Sequence, residues 1–347
     1  MTADEARSAR GVPAAIAVSP ILSGRYRARD LDQIRAAAPG SRIVNLSVEG
    51  LADGPLDDVE VLLRGWLSTD AFERLLVRAP NLAWVHSATG GVDHALSPAG
   101  RERRLTMTNA RGVFSRPIAE YVLMMILAIS RRLPELLELQ HERTWQPLEA
   151  RELGDVTVGI VGLGSIGRAV ASLAGAFGCR VVAVRRRADE GVAAAGDDEG
   201  FPHLPVRVDR LLGPDDLPEL LAESDFVVLA VPLTPQTEGL MSADALAAMR
   251  PDAWLINVAR GGLVYERALL RVLREGRIGG AVLDTFRREP QLPDSPFYDL
   301  PNVIVTPQTS WTSGRVVDRS IELFCDNLRR FAAGLPLRSV VDPVAGY

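Results

Sequence analysis

Short apolar runs alternate with stretches of helical period along most of the chain. In roughly the first hundred residues the runs AAIAVS, SRIVNLS, VEVLLRGW and LAWVHSAT predict parallel strands buried on both faces, and RDLDQIRAAA and DAFERLLVRAP predict the intervening helices. TNARGVFSRPIAEYVLMMILAISRRLPELLELQHERTW then predicts a loop and a long helix over residues 117–133. Pro117 stands near its start, Ser115 is a candidate cap, and Pro134 should end or kink it. The apolar positions of this helix extend beyond one face, which predicts burial in a homodimer interface. Its core, YVLMMILAI (121–129), is too short to span a bilayer.

A second series follows. DVTVGIVGLG, CRVVAVRRR, DFVVLAVPLT, AWLINVAR, IGGAVLDTF and NVIVTP predict strands. IGRAVASLAGAFG, DDLPELLAES and RVVDRSIELFCDNLRRFAAG predict helices, with SADALAAMRP and ERALLRVLREG as further intervening segments. DEGVAAAGDDEGFP is acidic and glycine-rich, and predicts a mobile surface loop. Strands alternating with helices give an α/β class: two Rossmann-like domains with doubly wound parallel sheets, the second inserted in the first. The expected bounds are 1–108 plus 308–347 for a substrate domain and 109–307 for a dinucleotide-binding domain.

Composition narrows this. With 47% hydrophobic and 24% charged residues in 347, a soluble protein with full cores is expected. A formal net charge of −5 argues against nucleic acid or an anionic membrane as partner. The two cysteines, Cys179 and Cys325, cannot build a disulfide framework or a Cys-based zinc site, and the N-terminus lacks the apolar core of a signal peptide; a cytoplasmic protein is expected. All 39 basic side chains are arginine, so no mechanism can use a lysine base. Of the four histidines, His86, His94, His141 and His203, His94 and His141 lack metal-ligand spacing to other donors, and no metal site is expected.

GIVGLGSIGRAV places Gly162, Gly164 and Gly167 at G-x-G-x-x-G spacing, after a strand and at the opening of a helix. In that context the first glycine allows the tight turn, the second lets the backbone approach a pyrophosphate, and the third packs helix on strand. Ser165 and Ile166 open the helix whose free N–H groups would face the phosphates. The next strand ends in Arg185, Arg186 and Arg187 rather than an acidic residue. Arginine there suits a 2′-phosphate and favours NADP(H) over NAD(H).

The segments VGLGSIGRAVA, VPLTPQTEGLMSADALAAMRPDAWLINVARGGLV and GAVLDTFRREPQLPDSPFYDLPNVIVTP resemble the D-isomer-specific 2-hydroxyacid dehydrogenase family, in its glyoxylate/hydroxypyruvate reductase-like branch. SATGGVDH and TNARGVFSRPIAEYVL extend the resemblance, which covers roughly residues 80 to 345. It implies hydride transfer between NADPH and a small 2-oxo acid, giving the D-2-hydroxy acid. Arg260, whose planar fork can hold carboxylate and carbonyl oxygens together, would bind and polarise the substrate. Thr89, Gly90 and Gly91 would receive the carboxylate on backbone N–H groups. Asp284 would contact the nicotinamide amide, and Pro232 and Val258 would line the cofactor site. Glu289 matches the glutamate that orients the family's catalytic histidine.

The position of that histidine is Gln308, in TPQTSW. An amide can hydrogen-bond a carbonyl but cannot deliver a proton at neutral pH. General acid catalysis is typically worth about a hundred- to ten-thousand-fold, so its loss predicts a slow enzyme rather than none. Three readings stay open at this level. Another group supplies the proton, with Glu289, His86, Tyr298 or water as candidates; His86 has the competing reading of a packed core residue. Alternatively, Gln308 is an impairing substitution. In the third reading the protein is a catalytically impaired NADP(H)-binding sensor or scaffold.

Overall fold

A computed structural model describes residues 11–21, 26–92, 100, 102–191, 201 and 203–342. His94 and most of the acidic stretch DEGVAAAGDDEGFP lie outside the described residues. The chain divides into two compact units, Met1–Val113 with Gly314–Tyr347, and the inserted Phe114–Ser313. Gln308 belongs to the inserted unit.

The outer unit holds β1 (Ala15–Val18), β2 (Arg42–Asn45), β3 (Val59–Arg64), β4 (Trp84–Ser87) and β5 (Thr106–Asn109). They form a wholly parallel sheet of order β2-β1-β3-β4-β5. Successive strand residues point to opposite faces. Ala15, Ala17, Leu62 and Val85 therefore pack with Phe72 and Leu75 of α2 (Thr69–Arg78). Ile16, Val18, Val61, Leu63 and Trp84 pack with Ile34 of α1 (Ala28–Ala37) and with Ile321, Phe324 and Leu328 of the C-terminal helix, Val316–Ala332. Ser68 caps α2 by accepting the Ala71 N–H at 3.1 Å. β5 was not among the expected strands, because TMTN has no apolar run. It is held by pairing with β4 and, on its other edge, by the C-terminal segment, where Asn109 N–H donates to the Ser339 carbonyl and Val341 N–H to that of Met107.

The inserted unit holds seven parallel strands: β6 (Thr157–Val161), β7 (Arg180–Val184), β8 (Arg210–Leu212), β9 (Phe226–Leu229), β10 (Trp254–Asn257), β11 (Gly280–Leu283) and β12 (Val303–Val305). Their order is β12-β11-β10-β9-β6-β7-β8. One face packs on α3 (Ser115–Ser130) and α5 (Ser165–Ala176). The other packs on α6 (Leu217–Glu223), α7 (Ala243–Ala247) and α8 (Glu266–Arg274). The long helix differs from expectation at both ends. Phe114, not Ser115, is the residue before its first turn, and Ser115 is a buried helical residue whose hydroxyl has no hydrogen-bond partner among the described residues. The helix stops at Ser130, Arg132 turns left-handed (φ 55°), and Pro134 opens α4 (Leu133–His141), where a missing N–H costs nothing. The two sheets with helices on both faces are the doubly wound α/β architecture that the alternation of runs predicts.

Candidate active site

The glycine turn leaves β6 at Gly162 with φ +102°, and a Cβ there would sit 2.5 Å from Val231 Cγ1. A Cβ on Gly167 would lie 2.0 Å from the Gly162 carbonyl oxygen, so α5 seats directly on the turn. Gly164 differs: it is exposed, and a Cβ there would meet nothing within 4 Å. The turn thus presents open backbone at the N-terminus of a 12-residue helix, where the N–H groups of Ser165, Ile166 and Gly167 lack helical partners. This suits a pyrophosphate. β7 ends just before Arg185, which is half-buried and donates to the Gly191 carbonyl, and Arg186, which is exposed. Pro232 follows β9 and is exposed; Val258 follows β10 and is buried.

The loop after β10 is fixed by a residue that the sequence reading did not single out. Buried Asn257 donates its amide to the Arg260 carbonyl at 3.0 Å and accepts the Ala259 N–H at 3.1 Å. Its place in NVARGG was the available signal. Arg260 is half-buried and one guanidinium nitrogen donates to the Ala259 carbonyl at 2.9 Å. Gly261 follows because a Cβ would lie 1.9 Å from the Phe286 carbonyl carbon. Glu289 is exposed and accepts the Phe286 N–H at 2.9 Å, with no hydrogen bond to Gln308 among the described residues.

Gln308 is exposed and left-handed, with φ 49°. Its N–H donates to the Asp284 carbonyl at 3.0 Å. The Asp284 side chain, 1% exposed, grips both flanks of the same turn. One carboxylate oxygen accepts the Thr306 hydroxyl at 2.6 Å and the Thr309 N–H at 2.8 Å; the other accepts the Ser310 N–H at 3.1 Å. Because the Thr306 proton is committed to Asp284, the Tyr121 hydroxyl, 2.7 Å away, must donate to Thr306. Burial pushes the Tyr121 phenol up to about 12, which keeps it a donor. Sequence reading did not reach this Tyr121–Thr306–Asp284 chain, since it joins α3 to Thr306, 185 positions away.

In the outer unit, Thr89, Gly90 and Gly91 follow β4. Their carbonyls are all engaged: by Ala110 N–H at 3.1 Å, by the Asn109 amide at 2.7 Å, and by the Thr89 hydroxyl at 2.8 Å. Among the described residues the N–H groups of Gly90 and Gly91 have no hydrogen-bond partner. Such a run of donors suits a carboxylate. His86 is a core residue. It is fully buried against Phe324, its Nδ1 lies 2.7 Å from the Thr108 hydroxyl, and burial lowers it to about 3. Neutral at ordinary pH and sealed in the core, it has no imidazolium to act as an acid, which removes it from the candidate donors. No group of three or more His, Cys, Asp or Glu gathers as a metal site among the described residues.

The fold and these features define a nicotinamide-dependent oxidoreductase class. The chain belongs to the D-isomer specific 2-hydroxyacid dehydrogenase family, whose NAD-binding domain matches residues 123–310. It is 33% identical over 286 residues to a glyoxylate reductase of Thermofilum pendens, covering 78% of this chain and 80% of that protein. A D-isomer specific 2-hydroxyacid dehydrogenase from Xanthobacter autotrophicus Py2, solved in complex with NADPH and MES, superposes with a TM-score of 0.82 at 30% identity, covering 96% of this chain and 100% of that one. An NADPH-dependent glyoxylate/hydroxypyruvate reductase from Sinorhizobium meliloti, solved with NADP and sulfate, gives 0.79 at 29% identity with the same coverage.

Proposed function

We propose that this protein reduces a small 2-oxo acid, of the glyoxylate or hydroxypyruvate kind, to the D-2-hydroxy acid with NADPH, and that Gln308 makes it slow. The observation that carries the reading is the glycine turn: open backbone at Gly164, at a helix N-terminus, with Arg185 and Arg186 at the end of the adjacent strand. NADPH, when bound, supplies the hydride. The chain's own residues do the rest. Gly90 and Gly91 N–H groups take the substrate carboxylate, and the Arg260 guanidinium binds and polarises. Gln308 donates an amide hydrogen bond to the carbonyl oxygen without a proton to release, so the proton comes from Glu289, Tyr298 or water. Asp284 meets the nicotinamide amide with whatever accepting capacity its three internal hydrogen bonds leave.

NADPH oxidation with glyoxylate, hydroxypyruvate and phenylpyruvate tests this. Turnover preferring NADPH to NADH is expected, and Arg185→Ala with Arg186→Ala should erase that preference. No oxidation with any of the three acids, beside tight NADPH binding, would instead support the sensor or scaffold reading that Gln308 motivates. Met124, Leu133, Leu136, Leu137 and Trp145 are exposed along and just beyond α3 and α4, which supports a homodimer through that surface. Both cysteines are buried and unpaired, and no helix among the described residues is long and apolar enough to cross a membrane, which supports a cytoplasmic enzyme.

A further inference from the structure

We propose that Asn109 is a positioning residue that sets the polarity of the Gly90–Gly91 peptide and so aims its N–H at the substrate carboxylate. The proposal rests on the oxo-acid reading above. A trans peptide is planar, with its C=O and N–H pointing in opposite directions. Whatever holds the Gly90 carbonyl therefore fixes where the Gly91 N–H points. Asn109 holds it, with its amide nitrogen 2.7 Å from the Gly90 oxygen.

The neighbouring peptide is aimed in the same way by backbone alone, through Ala110 N–H on the Thr89 carbonyl. Among the described residues the Gly90–Gly91 peptide has no such backbone clamp. It lies between two glycines, which can rotate through conformations closed to other residues, so the local backbone itself does little to oppose a flip. A flipped peptide would turn a carbonyl dipole toward the carboxylate.

Asn109 is itself held in place. It is 2% exposed, and its N–H donates to the Ser339 carbonyl at 3.1 Å. Its side-chain oxygen accepts the Arg111 N–H at 3.3 Å, which commits the amide to face Gly90 with its nitrogen. Hydroxyls complete the loop: Thr89 donates to the Gly91 carbonyl, so the Ser87 hydroxyl, 2.8 Å from that of Thr89, donates to it. The sequence order of β5 and its loop thus delivers an amide to the Gly90–Gly91 peptide.

The test is calorimetric titration of glyoxylate into the full chain saturated with NADP+, where binding is read without turnover. Asn109→Asp keeps the side chain's shape but faces Gly90 with an oxygen; Asn109→Ala only removes the tether. Glyoxylate affinity should fall about tenfold or more in Asn109→Asp and less in Asn109→Ala, with NADP+ affinity within about twofold of the parent in both. A crystal structure of Asn109→Asp should show the Gly90–Gly91 peptide turned. Glyoxylate affinity unchanged in both variants, or lost in proportion to NADP+ affinity and melting temperature, overturns the proposal. If the parent chain with NADP+ binds neither glyoxylate nor hydroxypyruvate, the proposed function fails first and takes this proposal with it.

Discussion

Replacing Asp284 by asparagine keeps the side chain's shape and turns one acceptor into a donor. In the parent, the buried carboxylate accepts three hydrogen bonds: from the Thr306 hydroxyl, the Thr309 N–H and the Ser310 N–H. An amide oxygen could keep the first two, which share one oxygen atom. Its NH2 would then face the Ser310 N–H, 3.1 Å away, donor against donor. Hydrogen bonds to a charged group contribute about 1.5–3 kcal/mol and neutral ones about 0.5–1.5. Losing one bond and the charge on two others comes to roughly 3–5 kcal/mol. For a unit of this size each kcal/mol lowers the melting temperature by about 2–4 °C, so Asp284→Asn should melt roughly 6–20 °C lower. Thr306→Val should cost less, since it leaves the two backbone bonds. Tyr121→Phe should cost the least, about 1 kcal/mol for one neutral bond. The Tyr121–Thr306 pair should show a coupling of about 1 kcal/mol in a double-mutant cycle followed by thermal or urea unfolding. A shift below about 2 °C for Asp284→Asn, or strict additivity of the Tyr121 and Thr306 changes, would refute the account of this turn.

Two other predictions separate binding from packing and place the buried histidine. Gly164→Ala, whose Cβ meets only open space, should melt like the parent yet bind NADPH at least tenfold more weakly, whereas Gly167→Ala, whose Cβ lands 2.0 Å from the Gly162 carbonyl, should lose several kcal/mol of stability; fluorescence titration and melting read the two apart, and normal NADPH affinity in Gly164→Ala contradicts the cradle. His86 falls from 6.5 to about 3 on burial, so the unfolded chain binds the extra proton across that window; the stabilisation is whole above pH 6.5 and is lost as pH falls toward 3, at up to about 1.4 kcal/mol per pH unit. His86→Gln should flatten that acid limb in urea unfolding curves, and an unchanged slope would count against the assignment.

The parts of the fold that were legible in the sequence are those whose burial comes from their own residues. Strands such as AWLIN and DFVVL are apolar on both faces because both faces are covered, and they read directly as parallel strands. β5 and β8 escaped notice because TMTN and RLL are short edge strands, held by neighbours distant in sequence. Ser115 looked like a cap because the residue type fits, but the backbone starts the helix one position earlier and buries it. The glycine turn was legible in the sequence, since Gly162 and Gly167 answer local steric demands and Gly164 leaves the backbone open. The supports of the site were not. Asn109, Asn257 and the Tyr121–Thr306–Asp284 chain act through contacts that spacing does not encode. For His86 the sequence left a proton donor and a packed core residue as competing readings, and the packed one holds: Trp84, Phe324 and Thr108 enclose it.

Gln308 decides whether the protein is a slow enzyme. Its left-handed backbone is a conformation in which histidine is several-fold enriched, so Gln308→His should be accepted without moving the turn. The decisive measurement is kcat for glyoxylate with saturating NADPH, on the parent and on Gln308→His at neutral pH. Slow but measurable turnover is expected in the parent, with a gain of about a hundred- to ten-thousand-fold in the histidine variant. A parent that already turns over at about 10 per second, with histidine adding nothing, would contradict it.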